Sequence, residues 1–178
     1  MQTVKMVVTG PFNSGKTAFI RSVSEIDVVS TERKITSESE RIKETTTVAM
    51  DFGRITVDDD LVLYLFGTPG QKRFDFMWEI LSEGMLGFIV MVDSARPETF
   101  REARGILQTF RAYAPTPYVV AANKQDQEDA WEVDDLRIAL KLDRKVKMLP
   151  CVATNKDAVK EVLLELLYSI LDEMKQKE

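Results

Sequence analysis

Lys16 and Thr17 close an octapeptide, Gly10 to Thr17, that reads GPFNSGKT. An ammonium and a hydroxyl set directly behind two spaced glycines give the pattern G-x-x-x-x-G-K-[ST], and its chemistry is phosphate binding. Gly10 and Gly15 tolerate positive φ and let the backbone turn tightly, so that N–H groups of the loop face phosphate oxygens. Lys16 supplies a point charge for β- and γ-phosphates, and the Thr17 hydroxyl is a ligand for Mg²⁺. Gly10, Pro11, Phe12, Asn13, Ser14, Gly15, Lys16, Thr17 and Ala18 are therefore candidate phosphate contacts. The plain alternative is a strand-turn-helix with an incidental lysine. A second group, Asn123-Lys124-Gln125-Asp126, follows the N-K-x-D pattern. Its aspartate can accept from the N1–H and 2-amino group of guanine. Adenine lacks that donor pair and would leave a buried carboxylate unsatisfied. Alone, this tetrapeptide is equally readable as a polar turn after a strand.

These groups need elements to position them. Thr3 to Thr9 is a β-branched strand ahead of the glycine loop, and a helical pattern begins at Ala18 and ends near Ser24. Residues 24–47 are polar and carry no sustained period, which is how a long loop, either functional or disordered, reads. Val48 to Val57 and Leu61 to Phe66 form a hairpin around Asp58-Asp59-Asp60. The triplet Asp51-Phe52-Gly53 matches a kinase metal motif, but no kinase catalytic-loop signature accompanies it. GTPGQ, residues 67–71, breaks the second hairpin strand, and Lys72 to Leu86 is aromatic-rich and helical in pattern. Gly87 to Val92 and Tyr118 to Ala122 are apolar runs of central parallel strands. The helices are Pro97 to Tyr113, Asp134 to Leu140 and Lys156 to about Lys175, and Met148 to Ala153 is a last strand, placed at an edge by Pro150. The alternation predicts an α/β fold: three layers, doubly wound, with a mostly parallel six-stranded sheet and one antiparallel edge strand. Ligands of such sheets bind beyond the carboxyl ends of the strands. The glycine loop, GTPGQ and NKQD all follow strand ends and should share one rim.

Composition narrows the chemistry. The 178 residues suit one domain, 1–178. With 44% hydrophobic and 30% charged residues the chain reads as globular and soluble. A net charge of −5 argues against a general nucleic-acid-binding surface. The absence of histidine excludes Ser-His-Asp and Cys-His catalysis and histidine metal sites. Cys151 is the single cysteine and reads as a small core residue. No signal peptide, membrane span, myristoylation start or prenylation box is visible, so the expectation is a cytoplasmic protein with no lipid anchor.

Over essentially its whole length the chain resembles the Ras-like small GTPases. GPFNSGKT looks like their phosphate loop, GTPGQ like their D-x-x-G-Q segment and NKQD like their guanine box. T-P-G-Q without an aspartate most resembles the prokaryotic MglA-like branch. The resemblance implies GTP and GDP as ligands, Mg²⁺ as cofactor, slow hydrolysis of GTP and a two-state switch. It places switch I at about 25–47 and switch II at about 67–85. Thr47, four residues before Asp51, matches the Mg²⁺-binding threonine, with Thr46 a close competitor. Gly70 contributes an amide to the γ-phosphate, Gln71 orients the attacking water, and Arg41 is the candidate internal arginine. Val152-Ala153-Thr154 stand where the family has S-A-K, with a guanine contact near the alanine amide. The implied partner is a GTPase-activating or effector protein that reads the switches, in this branch often of roadblock fold.

Three departures matter. Gly67 replaces the aspartate that holds the Mg²⁺ shell, which leads one to expect a loosely held metal, tightened by Gly67→Asp. Phe12 stands where an arginine finger from a partner would pass. The altered S-A-K leaves guanine contacts leaning on Asn123 and Asp126. Gly67 and Phe12 keep open a second reading, a guanine-nucleotide-binding module with little or no turnover. Phe74, Phe76, Met77 and Trp78 cannot all face inward on one helix, so core and partner-facing patch are both open.

Overall fold

GFIVMVD, the strand β5 (Gly87–Asp93), is buried at every residue. It runs through the middle of a sheet covered on both faces, which is why the sequence there needs no polar alternation. The computed structural model describes residues 1–28, 31–36, 45–70 and 72–177, with backbone alone at 31–36, 45–49 and 73. Around β5 the order is β1 (Gln2–Thr9), α1 (Lys16–Val23), β2 (Thr31–Thr36), β3 (Thr45–Asp58), β4 (Leu61–Gly67) and α2 (Phe76–Ser82). After β5 come α3 (Phe100–Tyr113), β6 (Tyr118–Asn123), α4 (Val133–Ala139), β7 (Lys147–Pro150) and α5 (Lys156–Gln176).

Six strands in the order β3-β4-β1-β5-β6-β7 make the expected sheet, and within it β3 alone is antiparallel to its neighbour. β2 pairs antiparallel with β3 and extends the sheet by one strand. The sequence predicts a patternless loop over 24–47; instead TERKIT is extended there. Three consecutive charged residues leave no apolar alternation to read, as is common for a strand at a sheet edge. β7 occupies the opposite edge, as Pro150 suggests.

Alternate residues of each central strand feed opposite faces. Ile89 and Met91 join Val4, Met6 and Val8 of β1 against Phe19 and Ile20 of α1 and Val159, Val162, Leu166 and Ile170 of α5. Phe88, Val90 and Val92 join Val7 against Trp78 of α2, Ala103, Ile106, Leu107 and Phe110 of α3 and Leu136 of α4. Period-2 strands sandwiched by period-3.6 helices thus give three layers. Fixing β1 between β4 and β5 puts the ends of all three strands on one edge, where the direction of winding reverses.

Several boundaries differ from expectation: the helix expected over Pro97–Tyr113 opens with a 3₁₀ turn, Pro97–Thr99, and β3 begins at Thr45 and not at Val48. The helical pattern over 72–86 divides into a 3₁₀ turn, Lys72–Phe74, and α2. The last strand ends at Pro150 and not at Ala153, because the chain turns there; the Cys151 N–H still donates to the Ala122 carbonyl at 2.9 Å. The first helix begins at Lys16, so Lys16 and Thr17 occupy its first turn. Among the described residues no helix is long and apolar enough to cross a membrane.

Candidate functional site: a phosphate loop and a base-reading rim

Gly10 and Gly15 have φ of 146° and 102°, so each needs the freedom of glycine. Space demands it too. A Cβ at Gly10 would lie 2.4 Å from the Met91 carbonyl oxygen, and one at Gly15 2.2 Å from the Asn123 amide nitrogen. The loop is pressed onto the ends of β5 and β6.

That pressure has a purpose visible in hydrogen bonds. The Asn123 side chain donates to the Ser14 carbonyl at 2.8 Å and accepts from the Ala153 N–H at 2.9 Å. One buried side chain therefore joins the phosphate loop, the end of β6 and the turn after β7. Lys124, with φ of 62°, lays its stem across the rim and donates to the Asn13 carbonyl at 3.0 Å and to the Asp93 carboxylate at 2.7 Å. Gln125 donates to the Ser94 hydroxyl at 2.8 Å and to the Trp131 carbonyl at 3.0 Å. Asp126 is exposed at the rim, as is Thr154, while Val152 is half-buried and Ala153 buried. The Ala153 amide is occupied by Asn123, so this turn is held by the same residue that holds the phosphate loop.

Lys16 is 8% exposed, and its Nζ donates to the Gly10 and Pro11 carbonyls at 2.8 and 2.7 Å. Burial pushes its ammonium down to about 8, against the opposing fields of Asp51 and Glu102. A cation taken out of water and answered mainly by carbonyl dipoles is a seat for an anion. The sign of its pH linkage follows. The folded value lies below the ordinary 10.5, so the unfolded chain holds more protons between about 8 and 10.5. The Lys16 contribution to stability is therefore adverse below that window and disappears as pH rises through it. Urea melts of the ligand-free protein should show a gain on the order of 3 kcal/mol across the window in the parent, absent in Lys16→Met. Equal pH profiles for the two proteins would show that Lys16 is not desolvated.

Thr17 Oγ1 donates to the Asp51 carboxylate, which reaches it from β3. Thr68, just past β4, is tied back to β1 by its hydroxyl on the Thr9 hydroxyl at 2.9 Å and its N–H on the Val8 carbonyl at 2.9 Å. Gly70 packs against the phosphate loop, where a Cβ would lie 2.7 Å from Phe12 Cα and 3.0 Å from Lys16 Nζ. The Phe12 side chain points outward and is 64% exposed. Thr46 and Thr47 lie on β3, their side chains outside the described set; Arg41 and Gln71 lie outside the described residues altogether. The aromatic group after GTPGQ divides. Phe74 and Trp78 are buried, with Trp78 Nε1 donating to the Pro69 carbonyl at 3.1 Å, while Phe76 is 50% and Ile80 55% exposed. Sequence reading missed Asp51, Asp93 and Thr68 as parts of this rim. Asp93 closes an apolar strand, and that position, where a lone carboxylate must find a cation, was its only signal.

A glycine loop between β1 and α1, with a second and a third loop on the same rim, defines a P-loop nucleotide-binding protein of small G-protein fold. The chain belongs to the family described as "Conserved hypothetical ATP binding protein", matched by residues 27–175, and to the Ras-like small GTPase superfamily of its Arf-like relatives. It is 29% identical over 164 residues to an uncharacterized protein of Methanocaldococcus jannaschii, covering 92% of this chain and 95% of that protein. It is 27% identical over 168 residues to ADP-ribosylation factor-like protein 3 of Saccharomyces cerevisiae, covering 89% of this chain and 81% of the relative. With ADP-ribosylation factor-like protein 9 of Homo sapiens the identity is 31% over 141 residues, 78% of this chain and 67% of the relative.

Proposed function

We propose that this chain is a single-domain switch, residues 1–178, that binds GTP or GDP with Mg²⁺ and slowly hydrolyses GTP to GDP and phosphate. The observation that carries the reading is the Asn123 bridge. It fastens the N-K-x-D turn to the phosphate loop at Ser14, so base and phosphates are read by one rigid unit. Asp126 is then free at the rim for the guanine donor pair. The T-P-G-Q likeness to the MglA-like branch belongs to this proposal, as does a cytoplasmic place of action.

The donor set suits the metal. Mg²⁺ takes oxygen ligands, one or two carboxylates and otherwise phosphate and water. Thr17 offers a hydroxyl beside a carboxylate, and among the described residues no cluster of three or more His, Cys, Asp or Glu competes. Thr47 or Thr46 would add a second hydroxyl from β3. When bound, Mg²⁺ neutralises charge on the β- and γ-phosphates. Lys16 holds the same phosphates, Gly70 lends its amide, Gln71 orients the water, and Arg41 is the arginine available within the chain. Phe76 and Ile80, one helical turn apart, form the exposed apolar face on α2 offered to an effector or activating protein.

The family description speaks of ATP, and adenine is the competing reading. The two differ at Asp126, whose acceptors match guanine alone. Competition against labelled GDP should find GTP about 100-fold or more better than ATP. Asp126→Asn should weaken GTP and favour xanthine nucleotide. ATP displacing GDP at equal concentration would overturn the guanine assignment and support the adenine one.

A further inference from the structure

Phosphate-loop proteins hold their metal between the hydroxyl that ends the loop and an aspartate at the carboxyl end of a neighbouring strand. Here β1 lies between β4 and β5: β5 ends in Asp93, whose carboxylate is held by Lys124, and β4 ends in Gly67, which has no side chain to offer. The space around Gly67 is nonetheless occupied. Asp51 stands opposite Gly67 in the antiparallel register of β3 and β4. A Cβ at Gly67 would lie 3.1 Å from Asp51 Cβ, 3.4 Å from Asp51 Oδ2 and 3.0 Å from Ile20 Cδ1. So the volume that a residue-67 side chain would enter is bounded by the Asp51 carboxylate. That carboxylate accepts from Thr17 Oγ1, the hydroxyl that ends the loop.

We infer that Asp51, delivered from β3, is the carboxylate of the metal shell in this chain, standing in for the one Gly67 cannot supply. The inference rests on the reading of the rim as a Mg²⁺-nucleotide site. Three observations converge on it: the register pairing, the shared volume and the bond to Thr17. It also accounts for glycine at 67. A second carboxylate there would meet the first at contact distance, and two like charges on one small site repel. On this inference the metal is held by Asp51 despite Gly67, and Gly67→Asp in the parent crowds Asp51 and Ile20 without tightening it.

The test measures release of fluorescent GDP and binding of Mn²⁺ to the GDP complex by electron paramagnetic resonance, neither of which needs turnover. In the parent, EDTA should speed GDP release at least about tenfold. In Asp51→Asn, release should be fast already, respond less than about twofold to EDTA, and Mn²⁺ should bind about 10–100-fold more weakly. Gly67→Asp alone should tighten neither. The exchange Asp51→Ala with Gly67→Asp should recover Mn²⁺ binding, since the carboxylate returns from the other strand into vacated space; this second variant guards against a folding defect in the first. Parent-like Mg²⁺ dependence in folded Asp51→Asn overturns the inference and leaves the nucleotide reading standing. A parent that binds neither GDP nor GTP, or holds GDP indifferently to Mg²⁺, overturns the metal-nucleotide reading and the inference with it.

Discussion

Lys16→Met is expected to lose triphosphate affinity by about 10³-fold or more while the ligand-free protein melts at or above the temperature of the parent. The two signs come from one cause. Lys16 is buried, and burial lowers its ammonium to about 8, so carrying the charge at neutral pH opposes folding. Its two carbonyl partners, at 2.8 and 2.7 Å, offset part of that cost. A phosphate placed against the amine offsets the rest, and charge-assisted bonds to phosphate are each worth about twice a neutral one. Methionine keeps the length of the stem and removes the charge, so packing is preserved. Alanine would leave a void and confuse stability with affinity. Thr17→Ala should leave the fold intact too, because Thr17 is exposed, and should weaken metal-dependent binding most. Paired melts and GTP titrations decide the matter. Near-parent GTP affinity in Lys16→Met would mean that the phosphate site is elsewhere.

Much of this arrangement is legible in the residues. Apolar runs such as Gly87–Asp93, a glycine loop between a strand and a helix, and proline at 150 state the sheet, its buried centre and one of its edges. The shared rim follows from those strand ends alone. What escaped was information carried by register. Asp51 and Gly67 are 16 positions apart in sequence, and only pairing makes them neighbours. Counting back from the turn pair Asp58–Leu61 would set Asp51 opposite Thr68; an irregularity between Thr56 and Asp58 sets it opposite Gly67 instead. No composition or period encodes that slip of one residue. β2 escaped for a related reason, because its sequence is charged and its strand character lies in backbone bonds to β3. The split of Phe74 and Trp78 from Phe76 follows helical spacing, four residues against two, but the sequence does not state which of the two faces meets the core.

Turnover is expected to be slow in the isolated chain, on the order of 10⁻⁴–10⁻² s⁻¹, and to fall further in Gln71→Leu with GTP binding unchanged. Phosphoryl transfer needs a water held in line and a cation against the charge that develops on the γ-phosphate. Gln71 is proposed for the first task, and Lys16 with Mg²⁺ covers part of the second. An arginine finger would add about 10³–10⁵ in rate, roughly 4–7 kcal/mol. Its usual approach passes the Phe12 position. The backbone there is backed by Gly70, where even a Cβ would lie 2.7 Å from Phe12 Cα, and the ring projects outward with 64% of its surface exposed. A finger arriving in trans must therefore displace an aromatic ring from above that backbone. An activating partner is instead expected to act by placing Gln71, and Arg41 from the same chain, against the phosphate. Single-turnover assays with such a partner separate the routes. Gln71→Leu and Arg41→Ala should each abolish most of the stimulation, while alanine replacements of partner arginines should not. Stimulation that survives Arg41→Ala but vanishes with one partner arginine, unchanged by Phe12→Gly, would mean that the finger enters past the ring after all.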